Sequence, residues 1–124
     1  METNIWKRKH TMTQRATTSL SLHYQVKPGQ REGLLAEIKG MLDRCAKEPE
    51  FIMGILHETP ERPNQFVLYE LWKGTRAEFD ATQGAKPYRK AYIENTKKFL
   101  DKVDVEWNLP ILEWGTNLTG LKQS

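Results

Sequence analysis

Two titratable side chains stand where short strands are predicted, and each could exchange a proton with a substrate. His23 lies among alternating polar residues, and it is the best candidate for a general base because an imidazole titrates nearest to neutral pH. Glu70 lies between apolar residues in the run 66–72, FVLYELW, where a carboxylate could act beside a bound substrate. The sequence therefore predicts both as catalytic residues. The alternatives stay open: a hydrogen-bonded or exposed imidazole for His23, and a structural ion pair across a dimer for Glu70.

Five further side chains could enclose a flat, apolar ligand. Trp72 offers a flat wall and an indole N–H donor, and Trp107 offers a second wall. Tyr88 and Tyr92 are one helical turn apart, so both could line the mouth of a cavity. Asn95 could donate a hydrogen bond to a ligand carbonyl. The five predict a substrate-binding pocket; the competing interpretation is ordinary packing of the aromatic rings and a solvated helix face around Asn95.

The use of cysteine and histidine excludes several kinds of site. The 124 residues include one cysteine, Cys45, which excludes an internal disulfide and any zinc or cluster site built on a cysteine pair. The three histidines, His10, His23 and His57, are too scattered for a histidine-rich metal site. No run resembles a nucleophile elbow, a phosphate loop or a metal-binding motif. We therefore expect no metal, and we interpret Cys45 as a core residue.

The formal charge of +3 comes from the first residues of the chain. Residues 1–17 carry four basic residues and one acidic residue, and subtracting these from the totals of 19 and 16 leaves 15 of each sign elsewhere. A nucleic-acid site needs basic residues on a folded face, so the body of the chain does not favour one. We expect a disordered basic tail over 1–17, one folded domain over 18–114, and a polar tail over 115–124.

No apolar run approaches the roughly 18 residues that a membrane-spanning helix needs. The start of the chain also lacks the apolar segment of a secretory signal. We therefore expect a cytoplasmic protein with no membrane partner.

Hydrophobic periodicity predicts the elements of the first half. Apolar residues alternate from Leu20 to Val26, which predicts a strand that ends at Pro28 and Gly29. Helical spacing of apolar residues predicts a helix from about Gln30 to Cys45. The runs 51–58 and 66–72 predict two antiparallel strands joined by a polar loop over 59–65.

The second half is predicted to hold two helices and a last strand. Thr75 and Glu78 have the spacing of a capping box, which predicts the start of a short helix ending near residue 83. A longer helix is predicted from Pro87 to Lys102, followed by a strand over 103–107 with a possible extension over 111–114.

This order of strand, helix, strand, strand, helix, strand is typical of the ferredoxin-like α+β fold. Its four-stranded antiparallel sheet carries both helices on one face and leaves the other face open. In the two middle runs that open face is largely apolar, and such a patch usually marks an interface. We therefore expect a homodimer in which two sheets dock to close a dimeric α/β barrel, with a side-chain-filled cavity beside each sheet.

Three segments resemble the antibiotic biosynthesis monooxygenase domain of the dimeric α/β-barrel superfamily. They are the region from Pro28-Gly29 through the first helix, the run EPEFIMGI at 48–55, and above all FVLYELWKGTRAEFDAT at 66–82. The resemblance covers about 18–108 and is most specific at Tyr69, Glu70 and Trp72.

The resemblance implies oxidation of a phenolic or quinol-type polycyclic aromatic by O2 in an apolar cavity, without metal, flavin or other cofactor. The substrate anion would donate the electrons, while the protein supplies a base, hydrogen-bond donors and a dry pocket. Family members often carry a histidine in the short helix near the position of Thr82, and the run 78–83 has none. The resemblance thus makes Thr82 a substrate-binding position, and chemistry that needs that imidazole would not be available.

Three other functions remain as alternatives. A non-catalytic ligand-binding or stress-response protein could use the same dimeric barrel. A haem-degrading relative is disfavoured because the polar positions of the first strand, 19, 21, 23 and 25, include no asparagine. An RNA-binding module is disfavoured because Phe66 is followed two residues later by Leu68 rather than by a second aromatic. We expect a small aromatic substrate and O2 as partners, and no nucleic acid.

Overall fold

The computed structural model describes residues 16–115 and 118–119. In this part of the chain the elements are β1 (Thr17–Val26), α1 (Arg31–Cys45), β2 (Phe51–Thr59), β3 (Arg62–Lys73), α2 (Arg76–Ala81), α3 (Pro87–Thr96), a 3₁₀ turn (Lys97–Phe99) and β4 (Leu100–Asn108). None of the helices in these ranges is long and apolar enough to cross a membrane. The predicted basic tail, apart from its last two residues, and most of the predicted C-terminal tail lie outside the described residues.

The four strands form one antiparallel sheet in the order β2-β3-β1-β4. The predicted ferredoxin-like α+β fold is confirmed, with β1 and β3 at the centre. Leu20 lies opposite Glu70 and Leu22 lies opposite Leu68, so the even-numbered residues of both central strands share one face. This register decides which side chains the helices cover.

The helices cover that even-numbered face, and the core lies between them and the sheet. Side chains from both central strands and from α1 are almost wholly buried there: Leu20, Leu22, Tyr24, Val26, Phe66, Leu68, Trp72, Leu34, Ile38, Met41 and Cys45. Burying a large apolar side chain stabilises a fold by about 1.5–3 kcal/mol, so this layer holds the helices on the sheet. The single cysteine is part of the core, as the sequence predicts.

The start of α2 is fixed by the capping box that the sequence predicts. The Thr75 hydroxyl accepts from the backbone N–H of Glu78 at 3.1 Å, and the Glu78 carboxylate accepts from the backbone N–H of Thr75 at 2.8 Å. Gly74, with φ +96°, turns the chain from β3 into this cap. Phe79 is thereby brought against Trp72, with the ring centroids 5.3 Å apart.

The predicted element boundaries are wrong at three places. β3 begins at Arg62 rather than at residue 66, so the polar loop is shorter than predicted. The helix predicted to reach Lys102 ends at Thr96, and β4 already begins at Leu100. The segment 111–114 forms no strand, so the suggested extension is also wrong.

Sheet pairing explains the early end of α3. The backbone N–H of Lys27 donates to the Phe99 carbonyl at 2.9 Å, and Leu100 pairs with Val26 at the end of β1. The Phe99 ring packs over Gly33, where an added Cβ would lie 2.5 Å from its Cε1 atom. These tertiary contacts outweigh a helical apolar pattern, which is only a weak local preference.

The sheet face turned away from the helices, called the open face below, has an apolar half and a polar half. The apolar half lies on β2 and β3 and comprises Met53, Ile55, Val67, Tyr69 and Leu71. The polar half lies on β1 and β4 and comprises Ser21, His23, Gln25, Asp104 and Glu106. Ile55 exposes 45% of its surface there, although it is strongly apolar.

Candidate functional site

Glu70 lies in a buried polar cluster between the sheet and α3. Its side chain is fully buried, and Arg89 Nη2 donates to Oε1 at 3.3 Å and to Oε2 at 3.1 Å. Trp72 Nε1 donates to Oε1 at 2.8 Å. Burial alone would lower the pKa of Arg89, but the adjacent Glu70 carboxylate outweighs burial and raises that pKa. The ion pair therefore forms within one chain, and not across a dimer.

Cys45 and Gln83 complete the buried polar cluster. Gln83 Nε2 donates to Cys45 Sγ at 3.4 Å, and Arg89 Nη1 lies 3.6 Å from the same sulfur. Burial raises the pKa of Cys45 to about 11, although the Arg89 charge opposes that rise. The thiol is consequently protonated at neutral pH and is a poor nucleophile.

A groove of about 320 Å³ runs between α1 and α3, called the interhelical groove below. Its lining residues are Ala36, Glu37, Gly40, Met41, Arg44, Tyr88, Ala91, Tyr92 and Asn95. Gly40 and Ala91 leave room between the helices, and no atom lies within 4 Å of a Cβ placed on Gly40. The volume lies at the lower end of small-molecule sites, which span about 300–1,000 Å³. Three predicted substrate-binding residues, Tyr88, Tyr92 and Asn95, meet here.

The hydroxyl of Tyr92 is hydrogen-bonded to that of Tyr24 on β1, with the two oxygens 2.6 Å apart. Burial raises the pKa of Tyr92 to about 12, and burial likewise raises the pKa of Tyr24 well above its usual value. Both groups are therefore neutral near pH 7. The pair holds two hydroxyl hydrogens and uses one between its members, so the other is available to an acceptor.

Tyr88 forms one side of the groove and has its hydroxyl fully engaged. It donates to Glu48 Oε2 at 3.0 Å, accepts from Gln83 Nε2 at 3.0 Å, and Lys86 Nζ lies 3.4 Å from the same Glu48 oxygen. Burial raises the pKa of Tyr88 to about 12. The Arg44 guanidinium lies 5.5 Å from the ring centroid. These contacts hold the ring in place as a wall.

The two predicted catalytic residues lie on opposite faces of the sheet. His23 is exposed on the open face, opposite Val67 and Asp104, whereas Glu70 lies beneath the helices. The sheet separates them, so they do not form one site. His57 also lies on the open face, while His10 is outside the described residues, so no imidazole of the described ranges lines the groove.

The other predicted ligand contacts do not reach the interhelical groove either. Thr82 is exposed just after α2, and its hydroxyl donates to the Glu78 carbonyl at 2.8 Å. Trp72 and Trp107 flank Phe79 edge-to-face, with centroids 5.3 Å and 5.1 Å from that ring. Both indoles pack as core and core-edge residues in this arrangement.

Two charged residues of the groove, Glu37 and Arg44, were not predicted as site residues from the sequence. They stand seven residues apart on α1, one position before Ile38 and Cys45 of the buried stripe, and therefore on the flank of the helix that turns toward α3. Only the position of α3 distinguishes them from solvated charges. Glu37 makes no hydrogen bond or ion pair within residues 16–115 and 118–119. The groove thus combines an unpaired carboxylate, a guanidinium, neutral tyrosines and apolar walls, a set suited to binding a phenol.

No cluster of three or more histidine, cysteine, aspartate or glutamate side chains in the described ranges is placed to hold a metal ion.

Several solved structures share this fold. A Mycobacterium tuberculosis protein matches with a TM-score of 0.70 and 21% identity, covering 80% of this chain and 99% of its own. A Shewanella oneidensis protein matches with a TM-score of 0.70 and 18% identity, covering 77% of this chain and 92% of its own. A Chloroflexus aurantiacus protein named as a candidate antibiotic biosynthesis monooxygenase matches with a TM-score of 0.64 and 16% identity. The match covers 80% of this chain and 97% of that protein. At these identities the likeness shows the fold alone.

The sequence itself matches a family model. No curated protein matches the chain, but the model described as antibiotic biosynthesis monooxygenase matches residues 19–93. The match runs from β1 to α3, and so includes the buried polar cluster and most of the interhelical groove. This chain therefore belongs to the antibiotic biosynthesis monooxygenase family.

Proposed function

We propose that this protein is a monooxygenase that oxidises a phenolic or quinol-type polycyclic aromatic with O2 in the interhelical groove, without a cofactor. One observation carries the proposal: in a member of this family, Tyr88, Tyr92 and Asn95 line a single groove together with Glu37 and Arg44. The volume of about 320 Å³ suits a two-ring aromatic such as 1-naphthol.

The reaction balances with the phenol and O2 alone. The phenolate passes one electron to O2, and the phenoxyl and superoxide radicals combine at the ring carbon para to the oxygen. The peroxide formed takes up the proton that the phenol lost. Loss of the ring C–H proton with hydroxide then leaves the quinone and water. One oxygen atom of O2 enters the product and the other becomes water, and the substrate supplies every electron.

The groove offers what such a substrate needs. Met41 and Ala91 present apolar surface to an aromatic ring. The positive charge of Arg44 favours the phenolate over the phenol, because an opposite charge nearby stabilises an anion. The Asn95 amide can donate to a second ring oxygen.

We assign different roles to the two residues first predicted as catalytic. Glu70 acts as a positioning residue, since its carboxylate holds Arg89 and Trp72 beneath the helices. His23 lies on the open face, where a second copy of the chain would meet it. We propose that the protein is a cytoplasmic homodimer joined through this face, as members of this family are commonly dimeric.

Turnover of 1-naphthol tests the proposal. Wild-type protein should produce 1,4-naphthoquinone in air and none without O2, as followed by absorbance and an oxygen electrode. Ala91→Phe fills the groove and should abolish the reaction. Ile93→Phe places the same ring on the same helix at a position that is 54% exposed and outside the groove, and it should keep the wild-type rate. Equal rates in these two variants would remove the groove as the site.

A second candidate is a non-catalytic ligand-binding protein. It is favoured by the absence of any imidazole at the groove among the described residues and by the full engagement of Glu70 with Arg89 and Trp72. Tight binding of 1-naphthol with no O2 consumption, over a range of related phenols, would support this candidate instead.

A further inference from the structure

We infer that Glu37 is the general base that removes the phenol proton, and that the Tyr24–Tyr92 hydroxyl pair holds the oxygen atom that has lost it. The inference rests on the proposed function, because it assigns roles within the same interhelical groove. Neither Glu37 nor Tyr24 was predicted as a site residue from the sequence, whereas Tyr92 was predicted to bind substrate.

Glu37 is the carboxylate of this region that is free to accept a proton. Glu70 is bound by Arg89 and Trp72, and Glu48 is bound by the Tyr88 hydroxyl and Lys86. Glu37 is half-buried, lines the groove, and has no hydrogen-bond or ion-pair partner within residues 16–115 and 118–119. A general base must lie within hydrogen-bond reach of the proton it takes, and Glu37 lines the groove in which the phenol is proposed to bind.

The negative charge of Glu37 acts on Tyr92. Burial is the main cause of the raised pKa of Tyr92, and Glu37 contributes to it along with Glu70. Glu37 and Tyr92 also line the same groove, from α1 and α3 respectively, so the base and the hydrogen-bond donor face a common ligand.

The tyrosine pair can donate a hydrogen bond but cannot act as the base. Both hydroxyls hold their protons at neutral pH, and one of the two hydrogens has no acceptor within the pair. A hydrogen bond to a charged oxygen is roughly twice as strong as one between neutral groups. Donation through Tyr92 thus favours the phenolate, with Tyr24 as the positioning residue behind it.

The proton transfer balances within the groove. The phenol O–H bond breaks, the proton binds a Glu37 carboxylate oxygen, and the electron pair stays on the phenolic oxygen. Glu37 later returns the proton to the peroxide formed with O2. The other titratable groups that line the groove are Arg44 on α1 and Tyr88 and Tyr92 on α3, and Tyr24 on the sheet is hydrogen-bonded to Tyr92. None of these is an acceptor near pH 7.

Anaerobic binding of 1-naphthol tests the inference without any turnover. On the wild-type protein, bound 1-naphthol should ionise at a lower pH than it does in solution, and Tyr92→Phe should raise that pH by about one unit because the phenolate loses its hydrogen-bond donor. Glu37→Gln removes a negative charge beside the phenolate, so bound 1-naphthol should ionise at a still lower pH than on the wild-type protein. Glu32→Gln makes the same chemical change on an exposed part of α1 and should leave the spectrum unchanged. The same ionisation pH on the wild-type protein, Glu37→Gln and Tyr92→Phe would overturn the inference.

The pH dependence of turnover gives the second arm. Removing a general base typically lowers the rate by about 10²–10⁴-fold, so kcat/KM of Glu37→Gln for 1-naphthol should fall at least about 100-fold at neutral pH. The loss should shrink at a pH where 1-naphthol is already ionised in solution. Turnover by Glu37→Gln at the wild-type rate at every pH would overturn the inference and leave the proposed function standing. Formation of the bound anion without turnover would overturn the proposed function and leave the inference standing.

Discussion

At Glu70 the chain buries a carboxylate and a guanidinium together, and this pair dominates the polar chemistry under the helices. The side chain of Glu70 is fully buried and that of Arg89 is 6% exposed, with 3.1 Å between Oε2 and Nη2. Such a pair contributes little net stability relative to apolar residues, but removing one partner leaves the other charge buried and uncompensated. The residues around the pair are therefore expected to respond sharply to single substitutions.

Arg89→Met should lower the free energy of unfolding by about 3–5 kcal/mol, because it leaves the Glu70 carboxylate uncompensated in the core. The double variant Glu70→Leu, Arg89→Met should recover much of that loss. Urea denaturation measures both. Asp43→Asn, which removes the exposed partner of Lys39, is the control and should cost less than about 1 kcal/mol. A double variant as unstable as Arg89→Met would contradict this account of the pair.

Alkaline pH should destabilise the fold through buried acids that resist ionisation. Burial raises the pKa of Cys45 from 9.0 to about 11 and that of Tyr92 from 10.0 to about 12. The unfolded chain ionises at the lower values, so this stabilisation is complete below pH 9 and is lost as the pH rises to about 12. The urea midpoint should fall over this range, and in Cys45→Ala the fall should begin about one unit later. A constant midpoint from pH 9 to 11 would contradict the burial of these groups.

At the scale of elements, α1 carries two glycines with opposite surroundings. A Cβ on Gly33 would lie 2.5 Å from a ring atom of Phe99, whereas a Cβ on Gly40 would meet nothing within 4 Å. Gly33 leaves room for the Phe99 ring of the 3₁₀ turn, so its role is structural. Gly40 leaves the interhelical groove open, so its role is to form the site.

Gly33→Ala and Gly40→Ala should therefore shift stability in opposite directions. The first should lower the free energy of unfolding by about 1–3 kcal/mol, because the Phe99 ring must move. The second should raise it by up to about 1 kcal/mol, since alanine is the better helix former. Thermal unfolding of both variants beside the wild type measures the difference. Equal changes in the stability of the two variants would show that the contact of Phe99 with Gly33 does not hold α1 against the 3₁₀ turn.

The order of the helices and strands was predictable from the sequence. The ends of these elements and the residues of the interhelical groove were less predictable. The alternation from Leu20 to Val26 and the capping box at Thr75 carry strong local signals, and both predictions are confirmed. The end of α3 depends on the pairing of Leu100 with Val26, a contact that no local pattern contains. Glu37 looks like any solvated charge on α1 until α3 is placed beside it. Tyr88, Tyr92 and Asn95 were predictable as a group because one helix spaces them.

At the scale of the whole molecule, the proposed dimer would bury the apolar half of the open face. Its apolar half includes Ile55, which is 45% exposed in a single chain. Ile55→Glu should leave the chain folded and shift it from twice 14.5 kDa to 14.5 kDa in light scattering, because a charge would have to be buried on docking. Ile93→Glu alters a similarly exposed isoleucine on α3, and this variant should remain a dimer. A wild-type mass of 14.5 kDa at micromolar concentration would contradict docking through this face.

The fate of the two oxygen atoms of O2 shows whether the protein is a monooxygenase. Wild-type protein should be incubated with 1-naphthol under isotopically labelled O2, and the quinone and water analysed by mass spectrometry. The account predicts one labelled oxygen atom in each quinone molecule and the other in water, with no product from Ala91→Phe. Unlabelled quinone accompanied by hydrogen peroxide, or no consumption of O2 by the wild-type protein, would contradict it.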